Sequence, residues 1–164
     1  MYSLKKKALT LLFFMPCMHV SMHAALLLQY ALPIEVAEKM VQAAVEKAKS
    51  ENIQLTFSVV DDHGALRYQY VMDGARSVSV DVAQMKATAA ARTRMSTRVL
   101  MERNTEKVGF GYGNFPNVVL LPGGVPIVAE NGATLGAIGV SGASGDQDEA
   151  CALHGLAEVK PLLK

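Results

Sequence analysis

Two short turn signals, each set between apolar runs, constrain this chain more than any other feature. Asp61-Asp62-His63-Gly64 follows the β-rich residues Leu55, Phe57, Val59 and Val60 and precedes Leu66, Tyr68, Tyr70 and Met72, which alternate onto one face. A strand that enters a glycine turn and leaves as an alternating run is a hairpin. Glu130-Asn131-Gly132 lies in the same way between Val125-Pro126-Ile127-Val128 and a second run from Thr134 to Val140. Asn-Gly is a strong hairpin signal because both residues tolerate positive φ. Two hairpins in one chain require antiparallel pairing, and the sequence between and around them must cover the sheet.

That covering sequence is helical. Pro33 opens a pattern in which Ile34, Ala37, Met40, Val41, Ala44, Val45 and Ala48 share one face, with Asn52 as its stop; Pro suits a first turn because its missing N–H costs nothing there. Residues 78–101 contain neither Gly nor Pro and place Val78, Val82, Met85 and Ala89 at helical spacing, which predicts the longest helix. Its run Ala87-Thr88-Ala89-Ala90-Ala91 is small enough for close approach to a sheet or another subunit. Arg92, Arg94, Arg98 and Arg103 read as its solvated last turn. Gly109–Pro116 is a Gly-rich aromatic loop, and Asp146 is placed to cap a final helix running through Leu156, with Asp148 and Glu149 in its first turn. The fold class is α+β, an antiparallel sheet flanked by helices in a single domain.

The first two dozen residues differ in kind. Lys5, Lys6 and Lys7 precede an apolar run from Ala8 to Met18 that is followed by Ser21, Met22, His23, Ala24 and Ala25, the order of a secretory signal peptide. The run is too short to span a bilayer, which takes roughly 20 apolar residues. The expected organisation is a signal over 1–25 and a domain over 26–164, located in the periplasm or secreted. Cleavage would remove Cys17 and leave Cys151 without an intramolecular partner. Cys151 then reads as a small buried residue, with a reactive thiol or a thiolate ligand as the alternatives.

Composition excludes several function classes. A net charge of +1 lacks the basic excess that neutralising a phosphate backbone requires. Aromatics at 6% with no Trp leave little for stacking bases or sugars. The glycines at 109–113 are not followed by Gly-Lys-Ser/Thr, so no phosphate loop is formed. Ser141 lacks the Gly-x-Ser-x-Gly frame of a nucleophile elbow, and no catalytic constellation is assigned. His63 and His154 are candidate imidazole ligands for haem iron or another metal; the alternatives are an exposed turn residue and a hydrogen-bonded core residue, respectively. Lys86 is a candidate cation for a ligand carboxylate, or a snorkelling surface lysine.

Leu121-Pro122-Gly123-Gly124-Val125-Pro126-Ile127, Gly136-Ala137-Ile138-Gly139-Val140-Ser141-Gly142-Ala143 and Asp148-Glu149-Ala150-Cys151-Ala152 together resemble the GlcG/HbpS-like family. Val59-Val60-Asp61, Met72-Asp73-Gly74-Ala75 and Lys86-Ala87-Thr88-Ala89-Ala90 agree in the same order. The resemblance implies a profilin-like antiparallel sheet flanked by helices, a homo-oligomer and, in some members, haem binding. Exported members of this type can act beside a membrane sensor kinase. The leading expectation is therefore an exported haem-binding protein that sequesters, transports or senses haem. Its cofactor site would draw on His63, Met85, Lys86, His154 and the 109–113 loop, with His63 or His154 on the metal. The rival expectation is an accessory protein or enzyme for a small hydroxy acid or aldehyde in glycolate- or diol-type metabolism, with Lys86 and Asp148 as its polar groups.

Overall fold

The structure, a computed structural model, describes residues 31–105 and 111–164. The expected signal segment over 1–25, the boundary after it, and Gly109 and Phe110 of the Gly-rich loop lie outside the described residues. Helix α1 (Ile34–Ser50) leads into the hairpin β1 (Thr56–Asp61) and β2 (Leu66–Val71), followed by α2 (Val78–Thr93) and α3 (Thr97–Thr105). A short 3-10 turn at Tyr112–Asn114 precedes the second hairpin, β3 (Gly124–Val128) and β4 (Thr134–Ser141), and α4 (Gly145–Val159) closes the domain. The two hairpins join into one antiparallel sheet in the order β2-β1-β4-β3, so β1 and β4 are central. The fold is α+β, as the two turn signals require. No helix among the described residues is long and apolar enough to cross a membrane.

Strand alternation divides the sheet into two unlike faces. Phe57, Val59, Ile138 and Val140 point to one side, where Met40, Val41 and Ala44 of α1 and Cys151 and Ala152 of α4 bury them in the main core. On the other side Val60 and Ala137 meet Ala87, Ala90 and Ala91 of α2, and Thr56 shares a 2.7 Å hydrogen bond with Ser79. This second face is built from small side chains because α2 lies against the strand backbone. A Cβ added at Gly139 would stand 2.1 Å from the Ala83 carbonyl oxygen and 2.5 Å from the Ala87 nitrogen.

That close approach puts the small-residue face of α2 against the sheet. Ser79, Ala83, Lys86, Ala87 and Ala90 are buried, while Val78 and Met85, two of the residues whose spacing marked the helix, are exposed. Periodicity found the helix but its bulky residues point away from the sheet, since only small ones fit beneath it. Nor does the helix run to Met101. Arg94 takes a left-handed φ of 56° and separates α2 from α3, so α1, at 17 residues, is longer than α2 at 16. Two polar contacts make the break. The Ser96 hydroxyl accepts the Val99 N–H at 3.3 Å as a new cap, and the buried Thr97 hydroxyl accepts the Gly124 N–H at 2.9 Å.

Two further expectations are corrected. The cap of α4 is Ser144, in a reciprocal capping box with Gln147; Asp146 pairs instead with Arg98, which also bonds Glu149 and ties α3 to α4. Arg98 is therefore a clamp between helices rather than part of a solvated last turn. In β2 the expected alternation from Leu66 to Met72 is broken by a bulge, since Val59 pairs with Tyr68 but Val60 pairs with Leu66. One extra residue turns Leu66 and Tyr68 to opposite faces, leaving Leu66 exposed at the sheet edge while Tyr68 packs against the main core.

Candidate functional site

Helix α2 has a depression on each flank, and they differ in chemistry. The first is a groove of about 430 Å³ lined by Gly64, Asp81, Gln84, Met85, Thr88, Arg92 and Asn117. The β1–β2 turn forms its upper wall. Asp61 holds that turn by accepting the N–H groups of His63 at 3.0 Å and Ala65 at 2.9 Å through one carboxylate oxygen, which is the turn role read for it from sequence. Gly64, at φ +89°, is pressed onto α2 so closely that a Cβ would lie 2.9 Å from the Thr88 methyl. Arg92 then donates from Nε to the His63 carbonyl at 3.0 Å. The His63 backbone is thereby tied to α2, while its imidazole is 75% exposed, 3.8 Å from an Asp62 carboxylate oxygen. Met85, 37% exposed, lies in the wall of the same groove.

The second depression, about 290 Å³, lies between α2, the end of β4 and the start of α4. Val78, Val82, Leu121 and Pro122 supply apolar wall; Lys86, Asp148, Ser141 and Arg76 supply polar groups. Lys86 and Asp148 are each only 2% exposed. The Lys86 ammonium donates to the Asp148 carboxylate at 2.7 Å and to the Val140 carbonyl at 2.8 Å, and the other Asp148 oxygen accepts the Ala143 N–H at 3.0 Å. Burial pushes the Lys86 amine below the ordinary lysine range, against the opposing pull of Asp148. Lys86 is thus neither a snorkelling surface lysine nor a cation offered at the surface. Its carboxylate is Asp148, 62 residues further along the chain.

The expected site residues do not converge. Met85 lines the first groove, His63 stands next to its lining residue Gly64 in the β1–β2 turn without lining it, and Lys86 lines the second depression on the other flank of α2. His154 is exposed on α4, in the layer across the sheet from α2, and lines neither depression. Sequence reasoning missed Arg92 as a groove residue and the pairing of Lys86 with Asp148. A lysine within the otherwise small set Ala83, Lys86, Ala87 and Ala90 was the available signal for the pair. Among the described residues no group of three or more His, Cys, Asp or Glu side chains is placed to hold a metal ion.

Cys151 is buried in the main core, and burial raises its thiol to about 11 from an ordinary value of 9.0. The folded chain then holds the thiol proton more tightly than the unfolded one, so stability from this group falls as pH rises through that interval. Cys151, scored separately from Cys17 by peptide mapping, is expected to react with a maleimide at pH 8 at least tenfold more slowly in the folded protein than in the urea-unfolded protein, because the thiolate is the nucleophile. Equal rates would place Cys151 at the surface.

The sequence model of the family described as "Haem degrading protein HbpS-like" matches residues 32–157, nearly all of the described domain. The chain belongs to the HbpS-like family. It is 34% identical over 108 residues to protein GlcG of Escherichia coli K12, covering 65% of this chain and 78% of that protein. Its structure is similar to that of an HbpS double mutant from Streptomyces reticuli, with a TM-score of 0.74, 35% identity, and coverage of 79% of this chain and 88% of that one. A solved complex of PduOC with haem is likewise similar, with a TM-score of 0.71, 28% identity, and coverage of 79% and 95%. The GlcG/HbpS-like resemblance carried by the C-terminal motifs is therefore a family relationship that extends over the domain.

Proposed function

We propose that this HbpS-like chain is an exported haem-binding protein and that the groove between the β1–β2 turn and α2 holds the haem. The observation that carries the reading is a groove whose lining holds a thioether and a guanidinium, Met85 and Arg92, beside a turn in which the His63 imidazole is exposed. Haem asks for these three chemistries: His or Met on iron, and a cation for the propionates, which arginine pairs well. His63, Met85 and Arg92 would hold it. A volume of about 430 Å³ falls in the range of small-molecule sites, roughly 300–1,000 Å³, so the residues present fit the group. When bound, haem supplies redox and ligand-binding chemistry at its iron; the chain supplies orientation and a charged mouth.

The family description and the haem complex of PduOC support the same reading. Binding is the step that sequestration, transport, sensing and degradation share. The Lys-rich start and apolar run from Ala8 to Met18 support export, and the sensing form of the proposal adds self-assembly and a membrane sensor kinase as partners.

Haem titration of the protein followed by absorbance tests this. A saturable Soret shift is expected, with affinity reduced at least tenfold by His63→Ala and unchanged by His154→Ala. No saturable shift in the wild type would overturn the haem reading; a loss confined to His154→Ala would move the site to α4.

A further inference from the structure

The cavity over Lys86 and Asp148 is separate from the groove assigned to haem and is built for different chemistry. Its apolar wall of Val78, Val82, Leu121 and Pro122 leads down to a lysine amine that water barely reaches. The Lys86 nitrogen is tetrahedral. One corner is its own carbon, and two are taken by the Val140 carbonyl and the Asp148 carboxylate. Gly123 keeps the nitrogen's surroundings clear, since a Cβ there would stand 2.9 Å from Nζ. A second group in the cavity is unspent. Ser141 is only 7% exposed and lines the same space, and its hydroxyl makes no hydrogen bond among the described residues. The start of α4, at Gly145, also lines the cavity and adds the positive end of a 15-residue helix.

A buried amine at the foot of a largely apolar wall, beside a carboxylate that can carry its proton and a hydroxyl free to meet an oxygen, is the equipment of carbonyl capture. We propose that this cavity is a site for a short-chain aldehyde, which Lys86 captures as an imine. Asp148 takes a proton from the ammonium, and the freed lone pair forms the N–C bond to the carbonyl carbon. The carbonyl π electrons move to oxygen, which Ser141 meets by donating its hydroxyl proton in a hydrogen bond and which then receives the proton from Asp148. Asp148 next takes a proton from nitrogen and returns it to the departing hydroxyl. Water leaves as the nitrogen lone pair closes the C=N bond. In sum, ammonium and aldehyde become iminium and water, with no oxidant or reductant. Burial that holds the amine below its ordinary pKa enlarges the neutral, nucleophilic fraction. At about 290 Å³ the cavity suits a chain of a few carbons, and the apolar wall suits an alkyl tail.

The probe is butanal with sodium cyanoborohydride, which reduces an imine to a stable secondary amine. Full-length folded protein is treated briefly and its peptides are mapped by mass spectrometry. The expected result is one butyl group on Lys86, gained at least tenfold faster than on the exposed Lys39 and Lys160 of the same molecules, so that the surface lysines serve as internal controls and no Lys86 variant is needed. Ser141→Ala, which removes only the free hydroxyl, is expected to slow labelling of Lys86 severalfold and leave Lys39 and Lys160 unchanged. Labelling of Lys86 no faster than the surface lysines would overturn the proposal. An unchanged rate in Ser141→Ala would remove Ser141 from it. Neither result depends on whether the protein binds haem.

Discussion

Lys86→Met is expected to destabilise the domain by about 3–5 kcal/mol, the usual consequence of leaving one charge of a buried pair without its partner. Methionine fills much of the volume of the lysine stem, so the loss would not come from a cavity. It would come from Asp148, which keeps the Ala143 N–H but loses the ammonium at 2.7 Å and has almost no water to replace it. The Val140 carbonyl loses a donor as well. The pair should nonetheless add little net stability over an apolar isostere, because desolvating two ions offsets most of their attraction. Lys86→Met combined with Asp148→Leu is therefore expected to recover most of the loss. Urea denaturation of the two proteins beside the wild type measures both quantities. A single variant within about 1 kcal/mol of the wild type, the range of exposed pairs, would show that the pair is hydrated in solution.

Gly139→Ala is expected to cost about 3 kcal/mol or more, at the upper end of what overpacking does. The added methyl would meet the Ala83 carbonyl oxygen at 2.1 Å and the Ala87 nitrogen at 2.5 Å, both backbone atoms of α2, and the Ala87 methyl at 3.0 Å. Backbone cannot rotate aside as a side chain can, so the whole helix must lift from the sheet. That displacement also loosens the Val60–Ala137–Ala90 cluster. Gly132→Ala is the control. It lies in the β3–β4 turn at φ +84° with nothing within 4 Å of the added carbon, and is expected to cost only the roughly 1–2 kcal/mol of a left-handed non-glycine residue. Thermal denaturation of both compares crowding with conformation directly. If the two variants melt together, α2 does not lie as close to β4 as described.

Both predictions concern features that were only half visible in the chain. The run Ala87–Ala91 announced a close approach, but the partner surface, Thr56, Ser58, Ala137 and Gly139, becomes a surface only when β1 and β4 are paired. Val78, Val82 and Met85 repeat at helical spacing and marked the helix. Spacing reports which residues share a face, not which face a neighbour covers, and the sheet here takes the small one. The break at Arg94 had no Gly or Pro to announce it, because it is made by Ser96 and by Thr97 reaching Gly124 across the fold. The β2 bulge was equally hidden, since an alternating run of apolar residues looks the same whether or not its partner skips a residue.

What the sequence determined by itself was the local and the repetitive. Turn chemistry at Asp61–Gly64 and Asn131–Gly132 specified two hairpins, helical periodicity specified α1, and the C-terminal glycine motifs carried the family. These signals act within a few residues, where backbone conformation and solvent exposure are decided. Tertiary structure alone decided the sites. Lys86 and Asp148 are 62 residues apart and meet only because α2 and the start of α4 converge on the end of β4. Met85 and Arg92 share a groove with the β1–β2 turn, which carries His63, only because Gly64 lets the turn rest on α2. A side chain's pKa, exposure and partners are properties of what surrounds it in space, and sequence order does not contain that until the sheet has formed.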